Sequence, residues 1–293
     1  MSELPLLDKQ CVRHSFGHAA ETYDAAAVLQ REIADRLLAR LELVRMQPQT
    51  ILDIGCGTGY DLGRLSKRYP AARVFGLDIA EAMARRARKR VGWWRRWTGR
   101  GAFICGDAER LPVATASMDM VVSNLSLQWC APPDVFLEAL RVLRPGGLLM
   151  FTTFGPDTLR ELRTAWRAAD NAQHVNSFID MHDLGDMLIR AGFADPVMDM
   201  EAFTLTYDGV LGVMRDIKQL GAHNMATSRT RGLTGKRRFS RFRAAYEALA
   251  QNGKIPATYE AVYGHAWAPE TGSTRMREGV TAVPVGRVRR RQP

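Results

Sequence analysis

The 293-residue chain has little of what marks a metal-stapled, secreted or membrane-spanning protein. Its four cysteines, Cys11, Cys56, Cys105 and Cys130, stand far apart with no CxxC and no Cys/His pairing. That excludes a zinc ribbon and a disulfide framework, and it suits thiols kept reduced in a cytoplasm. No stretch approaches the roughly 20 apolar residues of a membrane span. Met1 to Gln10 carries Glu3 and Asp8 and no apolar run, so neither a secretory signal nor a transit segment is expected. His14 and His18 share a helix face but lack a third ligand, and no metal is expected. Internal repeats are absent as well. What is present is 46% hydrophobic residues, enough for one large core, and a net charge of +10 that suits an acidic partner.

The most informative stretch is Ile51-Leu52-Asp53-Ile54 running into Gly55-Cys56-Gly57-Thr58-Gly59, a buried strand ending in a glycine-spaced turn. Glycine lets backbone N–H groups approach a ligand where a Cβ would collide. The spacing is GxGxG, not the GxGxxG of dinucleotide folds, and the Gly-Lys-Ser/Thr of a phosphate loop is missing. A ligand with an amino-acid-like or ribose part over the turn is therefore favoured over a diphosphate.

Along the chain, Arg13 to Arg40 has the spacing of one or two amphipathic helices with a joint at Tyr23-Asp24. Tyr60 to Arg68 reads as a helix and Arg73 to Asp78 as a strand ending in a carboxylate. Asp78 follows the glycines at about the interval, near 20 residues, that places a ribose acceptor, and it could instead cap the helix from Ala80 to Arg90. Basic and aromatic residues then interleave from Arg85 to Arg100, which suits a solvated face, a protein-docking face or a nucleic-acid contact. Gly101 to Ala108 is a third strand with Asp107 placed to accept from an adenine amino group, and Met118 to Asn124 is a fourth. A helix over Asp134 to Leu143 is stopped by Arg144-Pro145-Gly146-Gly147 before a fifth strand at Leu148 to Thr153. Thr158 to Asp170 reads as helical, and a helix over Leu184 to Ala191 is capped by Asp183, with His182 beside it. Pro196 to Tyr207 and Tyr259 to Trp267 are the last two strands, flanking a basic helical segment. Strand and helix alternate throughout, which predicts an α/β doubly wound sheet with its crevice at the carboxyl ends of the strands.

The glycine cradle, Asp78, the Gly106-Asp107-Ala108 turn and Leu143-Arg144-Pro145-Gly146-Gly147 together resemble class I S-adenosylmethionine-dependent methyltransferases. More narrowly, the chain resembles the malonyl-acyl-carrier-protein O-methyltransferase family of biotin synthesis. That likeness rests on Ala27-Val28-Leu29-Gln30, Asn124-Leu125-Ser126-Leu127-Gln128-Trp129, Phe154-Gly155-Pro156-Asp157, Phe178 to Asp183, Gly232-Leu233-Thr234-Gly235 and Tyr263-Gly264-His265-Ala266-Trp267. It spans about Cys11 to Pro269 and leaves out Arg85 to Arg100 and the tail.

The resemblance implies a mostly parallel, seven-stranded, Rossmann-like sheet. The chain would divide into a helical arm (1–45), a cofactor-binding core (46–207), an inserted helical lid that docks the carrier (208–257), a last core strand (258–269) and a basic disordered tail (270–293). The cofactor's methionine part would lie against Asp53, Gly55 and Gly57, its ribose on Asp78 and its adenine on Asp107 and Ala108, with Gln30, Ile79 and Asn124 completing the set. The reaction implied is methylation of the free malonyl carboxylate on acyl carrier protein, without a metal or a general base. Tyr23, Gln128, Trp129 or a lid arginine would receive that carboxylate. Arg229, Arg231, Lys236, Arg237, Arg238 and Arg241 would dock the acidic carrier. A cytoplasmic monomer without nucleic-acid or membrane partners is expected. The rivals are an aconitate-type methyltransferase, a non-methylating assembly factor and a nucleic-acid methyltransferase, the last lacking its Asn/Asp-Pro-Pro-Tyr/Phe after the fourth strand.

Overall fold

The computed structural model describes residues 7–91, 99–227, 232 and 234–270. Residues 92–98 of the basic-aromatic stretch, Arg229, Arg231 and the tail from 271 lie outside the described residues.

The arm is three helices: α1 (Lys9–Ala19), a single turn α2 (Tyr23–Ala26) at the expected joint, and α3 (Val28–Arg40). Asp8 caps α1 by accepting from the Cys11 N–H at 3.0 Å, so the arm starts earlier than the apolar spacing suggests. Then β1 (Thr50–Ile54), buried at every position, leads through the glycine turn to α4 (Tyr60–Arg68). β2 (Arg73–Asp78), α5 (Glu81–Arg90), β3 (Gly101–Cys105) and β4 (Met118–Ser123) follow. Next come α6 (Pro132–Val142), β5 (Leu143–Phe154), α7 (Arg160–Arg167), α8 (Met181–Ala191) and β6 (Ala194–Tyr207). α9 (Val210–Gln219), α10 (Lys236–Glu247) and β7 (Ile255–Trp267) close the fold.

The seven strands form one sheet in the order β3-β2-β1-β4-β5-β7-β6. The β3-β2-β1-β4-β5 part is parallel, and β7 runs antiparallel to both neighbours. Strand order reverses between β1 and β4, so their carboxyl ends flank a switch-point crevice. Apolar clusters fill both faces: Ile33, Leu37, Leu62 and Tyr246 on one, Phe136, Ala139, Leu184 and Leu188 on the other.

Three local expectations are corrected. The Pro-Gly-Gly break does follow the end of α6, but it is itself extended within β5, where the register against β4 slips between Met118 and Met120. A bulge tolerates proline and glycine that a regular central ladder would not. Asp180, not Asp183, caps α8 through the His182 N–H at 2.8 Å. The helix expected over Thr158 to Asp170 shortens to α7, because Leu159 sits left-handed at φ +56° and the Ala169 and Asp170 N–H groups both turn back to the Trp166 carbonyl.

Between β6 and β7, α10 lies on α7, with Phe242 stacked 4.0 Å from Trp166, and the chain before α10 meets the arm where the Asp8 N–H donates to the Met225 carbonyl. In the sheet, Gly264 of β7 sits opposite Phe151 of β5, and a Cβ there would come 2.3 Å from the buried ring. Gly264→Ala is expected to cost about 1–3 kcal/mol by overpacking. Urea denaturation checks this, and an unchanged midpoint would mean that the β5–β7 pair can yield.

Candidate active site

The site starts where β1 ends. Gly55, Gly57 and Gly59 have φ of +70°, +50° and +84°, which favours glycine at each. A Cβ on Gly55 would lie 2.3 Å from that of Ser126, so this glycine lets the loop after β4 close over the turn. At Gly57 a Cβ would meet no protein atom, and the space belongs to the crevice. The turn's N–H groups, expected to face a ligand, bond inward. Gly55 and Cys56 both donate to the Leu77 carbonyl, and Gly57 donates to Asp78 at 2.9 Å. With its donors used this way, the turn offers little to a phosphate, and the preference for an amino-acid or ribose moiety stands on firmer ground.

The arm is fastened to this turn at its joint. Asp24 accepts from the Thr58 hydroxyl at 2.5 Å and from Arg90 at 2.7 Å, while Arg31 donates to the Asp24 carbonyl at 2.5 Å. Tyr23 is thereby held over the carboxyl ends of β1 and β2, where burial, followed by Asp78, Asp61 and Asp24, raises its phenol far above the usual range. It can donate a hydrogen bond and cannot serve as a base.

Of the residues singled out from the sequence, Tyr23, Gly55, Gly57, Asp78, Ile79, Asp107, Ala108, Asn124 and Trp129 line a single cavity of about 660 Å³, its open mouth included. Asp53 and Gln30 do not line it. Both Asp53 carboxylate oxygens and the Gln30 side-chain carbonyl are buried without a hydrogen-bond partner among the described residues. Gln128 lines an adjoining cavity, donating to the Leu125 carbonyl at 2.7 Å and accepting from Thr153 at 3.2 Å. Asn124 donates to the Gln30 carbonyl at 3.1 Å and accepts from Thr152 at 2.6 Å. Trp129 meets Phe16 edge-on at 5.4 Å.

Lys9, Val12, Phe16 and Cys130 also line the cavity and were missed. Asp8, a capping residue just ahead of Lys9, was the available signal for the first three. Lys9 bridges Asp107, at 2.5 Å, and Glu109, so one oxygen of Asp107 is already committed to the arm. Asp107's other oxygen accepts from the Glu109 N–H at 3.0 Å. Burial, with Glu109 and Asp107 adding, pushes the Cys130 thiol up to about 12, which leaves it inert.

Three buried carboxyls, Asp53, Asp61 and Asp78, shape the electrostatics of the site. Burial, then Asp61 and Asp78, pushes Asp53 well up. Burial and then Asp35 push Asp61 up to about 7 against the pull of Asn124 and Arg64. Asp78 is pushed up to about 6 by burial, opposed by the N–H groups of Ala80 and Gly57. Carboxyls held like this favour a ligand that brings positive charge and hydroxyl donors.

The basic residues of the insertion lie elsewhere. Lys236, Arg237 and Arg241 are exposed on α10, and Arg238 sits 3.3 Å from Asp170. None of them lines the glycine cavity. His14 and His18 bring their Nε2 atoms to 3.0 Å, but no group of three potential metal ligands occurs among the described residues. No described helix is long and apolar enough to cross a membrane.

Comparison with known proteins agrees with this geometry. The pattern of a methyltransferase domain matches residues 52–151. The malonyl-[acyl-carrier protein] O-methyltransferase of Laribacter hongkongensis is 56% identical over 274 residues, covering 92% of each chain. The protein of the same name from Gallionella capsiferriformans is 52% identical over 267 residues, covering 90% of this chain and 92% of its own. Among solved structures, the YcgJ protein of Bacillus subtilis superposes with a TM-score of 0.56 at 18% identity, covering 80% of this chain and 98% of its own, a likeness of fold alone.

The raised Asp61 carboxyl generates a prediction. Its folded value of about 7 lies above the ordinary 3.8, so its contribution to stability is full below about pH 4 and is lost as pH rises through 7. Asp61→Asn, neutral throughout, should match the parent protein near pH 4 and exceed it above pH 8 by on the order of 1–3 kcal/mol in ligand-free denaturation. Parallel curves at all pH would contradict the buried charge.

Proposed function

The chain belongs to the malonyl-[acyl-carrier protein] O-methyltransferase family, and from that membership we propose that it carries a methyl group from S-adenosylmethionine to the free carboxylate of a malonyl group on acyl carrier protein. The observation that carries the reading is Asp53, two residues before Gly55, with both oxygens buried and unpartnered among the described residues. A buried carboxylate so placed is costly unless a cation comes to it. The amino group of the cofactor's methionine part is such a cation, so the residues present fit the cofactor.

S-adenosylmethionine, when bound, supplies a methyl group on a positively charged sulfur. The chain's own residues do the rest. Asp53, Gln30 and Asn124 would hold the amino-acid end over Gly55 and Gly57. Asp78 would accept from the ribose hydroxyls, and Ile79, Asp107 and Ala108 would flank the adenine. The malonyl carboxylate is ionised at pH 7 and needs no general base, so the work left is alignment and exclusion of water. The protonated Tyr23 phenol can donate to that carboxylate as it leaves water, while Trp129 and Gln128 wall the side from which it arrives. Methylation removes the malonyl charge, the change that lets the acyl chain be extended towards pimeloyl and biotin in the cytoplasm.

Lys236, Arg237, Arg238 and Arg241 are the surface we assign to the acidic carrier. Exchanging Arg237 and Arg241 for Glu should raise the KM for malonyl carrier several-fold at low salt and leave cofactor affinity unchanged. A constant KM would move the docking face elsewhere.

The deciding experiment is transfer of labelled methyl to malonyl-acyl carrier protein, with malonyl-coenzyme A, aconitate and DNA in parallel. Base-labile label on the malonyl carrier alone is expected. Label on aconitate, or cofactor binding with no acceptor labelled, would overturn the assignment in favour of a polycarboxylate enzyme or an assembly factor. Asp78→Ala should weaken cofactor binding by on the order of 1.5–3 kcal/mol in calorimetry, the worth of hydrogen bonds to a charged group. Unaltered affinity would remove Asp78 from the ribose.

A further inference from the structure

Three cavities adjoin one another, each sharing wall residues with the next. The glycine cavity shares Lys9, Trp129 and Cys130 with a second, of about 950 Å³ including its mouth, which Phe154 and Phe178 also line. The second shares Ser177 and Phe178 with a third, of about 1230 Å³ on the same measure, between α7 and the segment 171–178. A larger cavity between α1, α7 and α9 shares Phe178 with the second and third and is not lined by Arg163 or Arg167.

Arg163 and Arg167 line the third cavity and neither of the other two. They are four apart on α7 and so share a face. Arg163 is half-buried and fixed, donating to the Pro156 and Thr158 carbonyls at 2.9 Å each. The carboxylates around them are engaged by other residues. Asp157 lies 3.6 Å from Arg160, Glu161 accepts from the Thr258 N–H at 3.0 Å, and Asp170 holds His174 at 2.8 Å and Arg238. Burial and the charge of Arg167 hold the Arg163 guanidinium below its ordinary range, although Asp157 opposes them. Two like charges on one cavity wall, with no carboxylate paired to either among the described residues, suit a bound oxyanion, which guanidinium groups grip in fork geometry.

We infer that Arg163 and Arg167 seat the phosphodiester that joins a pantetheine arm to its carrier, with the arm running through the second cavity to the glycine cavity. This rests on the reading that the acceptor is a carrier-bound malonyl thioester. Phe154 and Phe178 would flank the arm's methylenes, and Gln128 and Ser177 lie beside its amides.

Arg167 is exposed and can be changed without disturbing the core. Arg167→Glu should raise the KM for malonyl-acyl carrier protein roughly tenfold, as loss of a charge-assisted contact does. It should leave kcat, cofactor affinity and the KM for phosphate-free malonyl-pantetheine unchanged, and Arg167→Lys should restore part of the loss. An unchanged KM for the carrier, or an equal rise for malonyl-pantetheine, would overturn the seat. A second measurement needs no turnover: 4′-phosphopantetheine titrated calorimetrically should bind the parent protein more tightly than pantetheine, and Arg167→Glu should abolish the difference. Equal binding of the two would defeat the phosphate seat even if methyl transfer occurs. Preferential binding by a protein that methylates no malonyl thioester would keep the seat and defeat the reaction.

Discussion

The bond from the Gly57 N–H to the Asp78 carboxylate, 2.9 Å long, is the constraint on which the site depends. It joins the turn after β1 to the end of β2, and the same carboxylate accepts from the Ala80 N–H at 2.8 Å as α5 begins. One side chain thus sets the turn, the strand end and the next helix. These two N–H groups also oppose the effect of burial, so that Asp78 titrates near 6 and is mostly ionised at pH 7. With one fixed donor on each oxygen, the carboxylate keeps a spare lone pair on each and is ready to accept from a pair of hydroxyls.

Asp53 and Asp61 are under the opposite pressure. Burial outweighs the pull of Asn124 and Arg64 on Asp61, no group draws Asp53 down among the described residues, and both are pushed towards the neutral form. A stable core would place apolar residues at such positions. Keeping carboxyls there costs the free protein stability that a cationic ligand can return, and the differential favours the loaded state. Ile51, Leu52 and Ile54, at 1% exposure or less, surround Asp53 along β1, the buried strand that carries it.

Much of this was legible in the sequence because the signals were local. Apolar runs beside glycine or proline mark β1, β3 and β5, and the glycine spacing with Asp78 marks the switch-point crevice before any pairing is known. Less legible were features that depend on chain-distant partners. Nothing local says that the turn's N–H groups would face Leu77 and Asp78 instead of a ligand, that Lys9 would cross to Asp107, or that Asp61, which reads as an ordinary first-turn helical acid, would be buried with one oxygen unpartnered. The Pro-Gly-Gly stretch reads as a stop by composition, yet the bulge between β4 and β5 absorbs it into the strand. Arg163 and Arg167 look like any solvated helix face until the carboxylates around them are seen to be taken.

The basic residues divide by what holds them. On α3, Arg36 and Arg40 are tied to Asp199 and Glu201 at 2.5–3.0 Å, closing the arm against the outermost strand β6, and they contribute to architecture. The helices α7 and α10 are held to each other by packing; Arg160, Arg238 and Arg243 on them are paired with Asp157, Asp170 and Glu247, while Arg163, Arg167, Arg237 and Arg241 pair with no carboxylate among the described residues. His174 stacks on Trp166 at 3.7 Å and Trp166 on Phe242 at 4.0 Å, a three-ring column that pins the two helices together. Asp170 ties the column's end to Arg238. Aromatic stacking fixes position without neutralising charge, whereas an ion pair does both. A face meant to meet an acidic partner needs cations placed but unspent, and Arg163, Arg167, Arg237 and Arg241 of the α7–α10 pair meet that requirement where Arg36 and Arg40 do not.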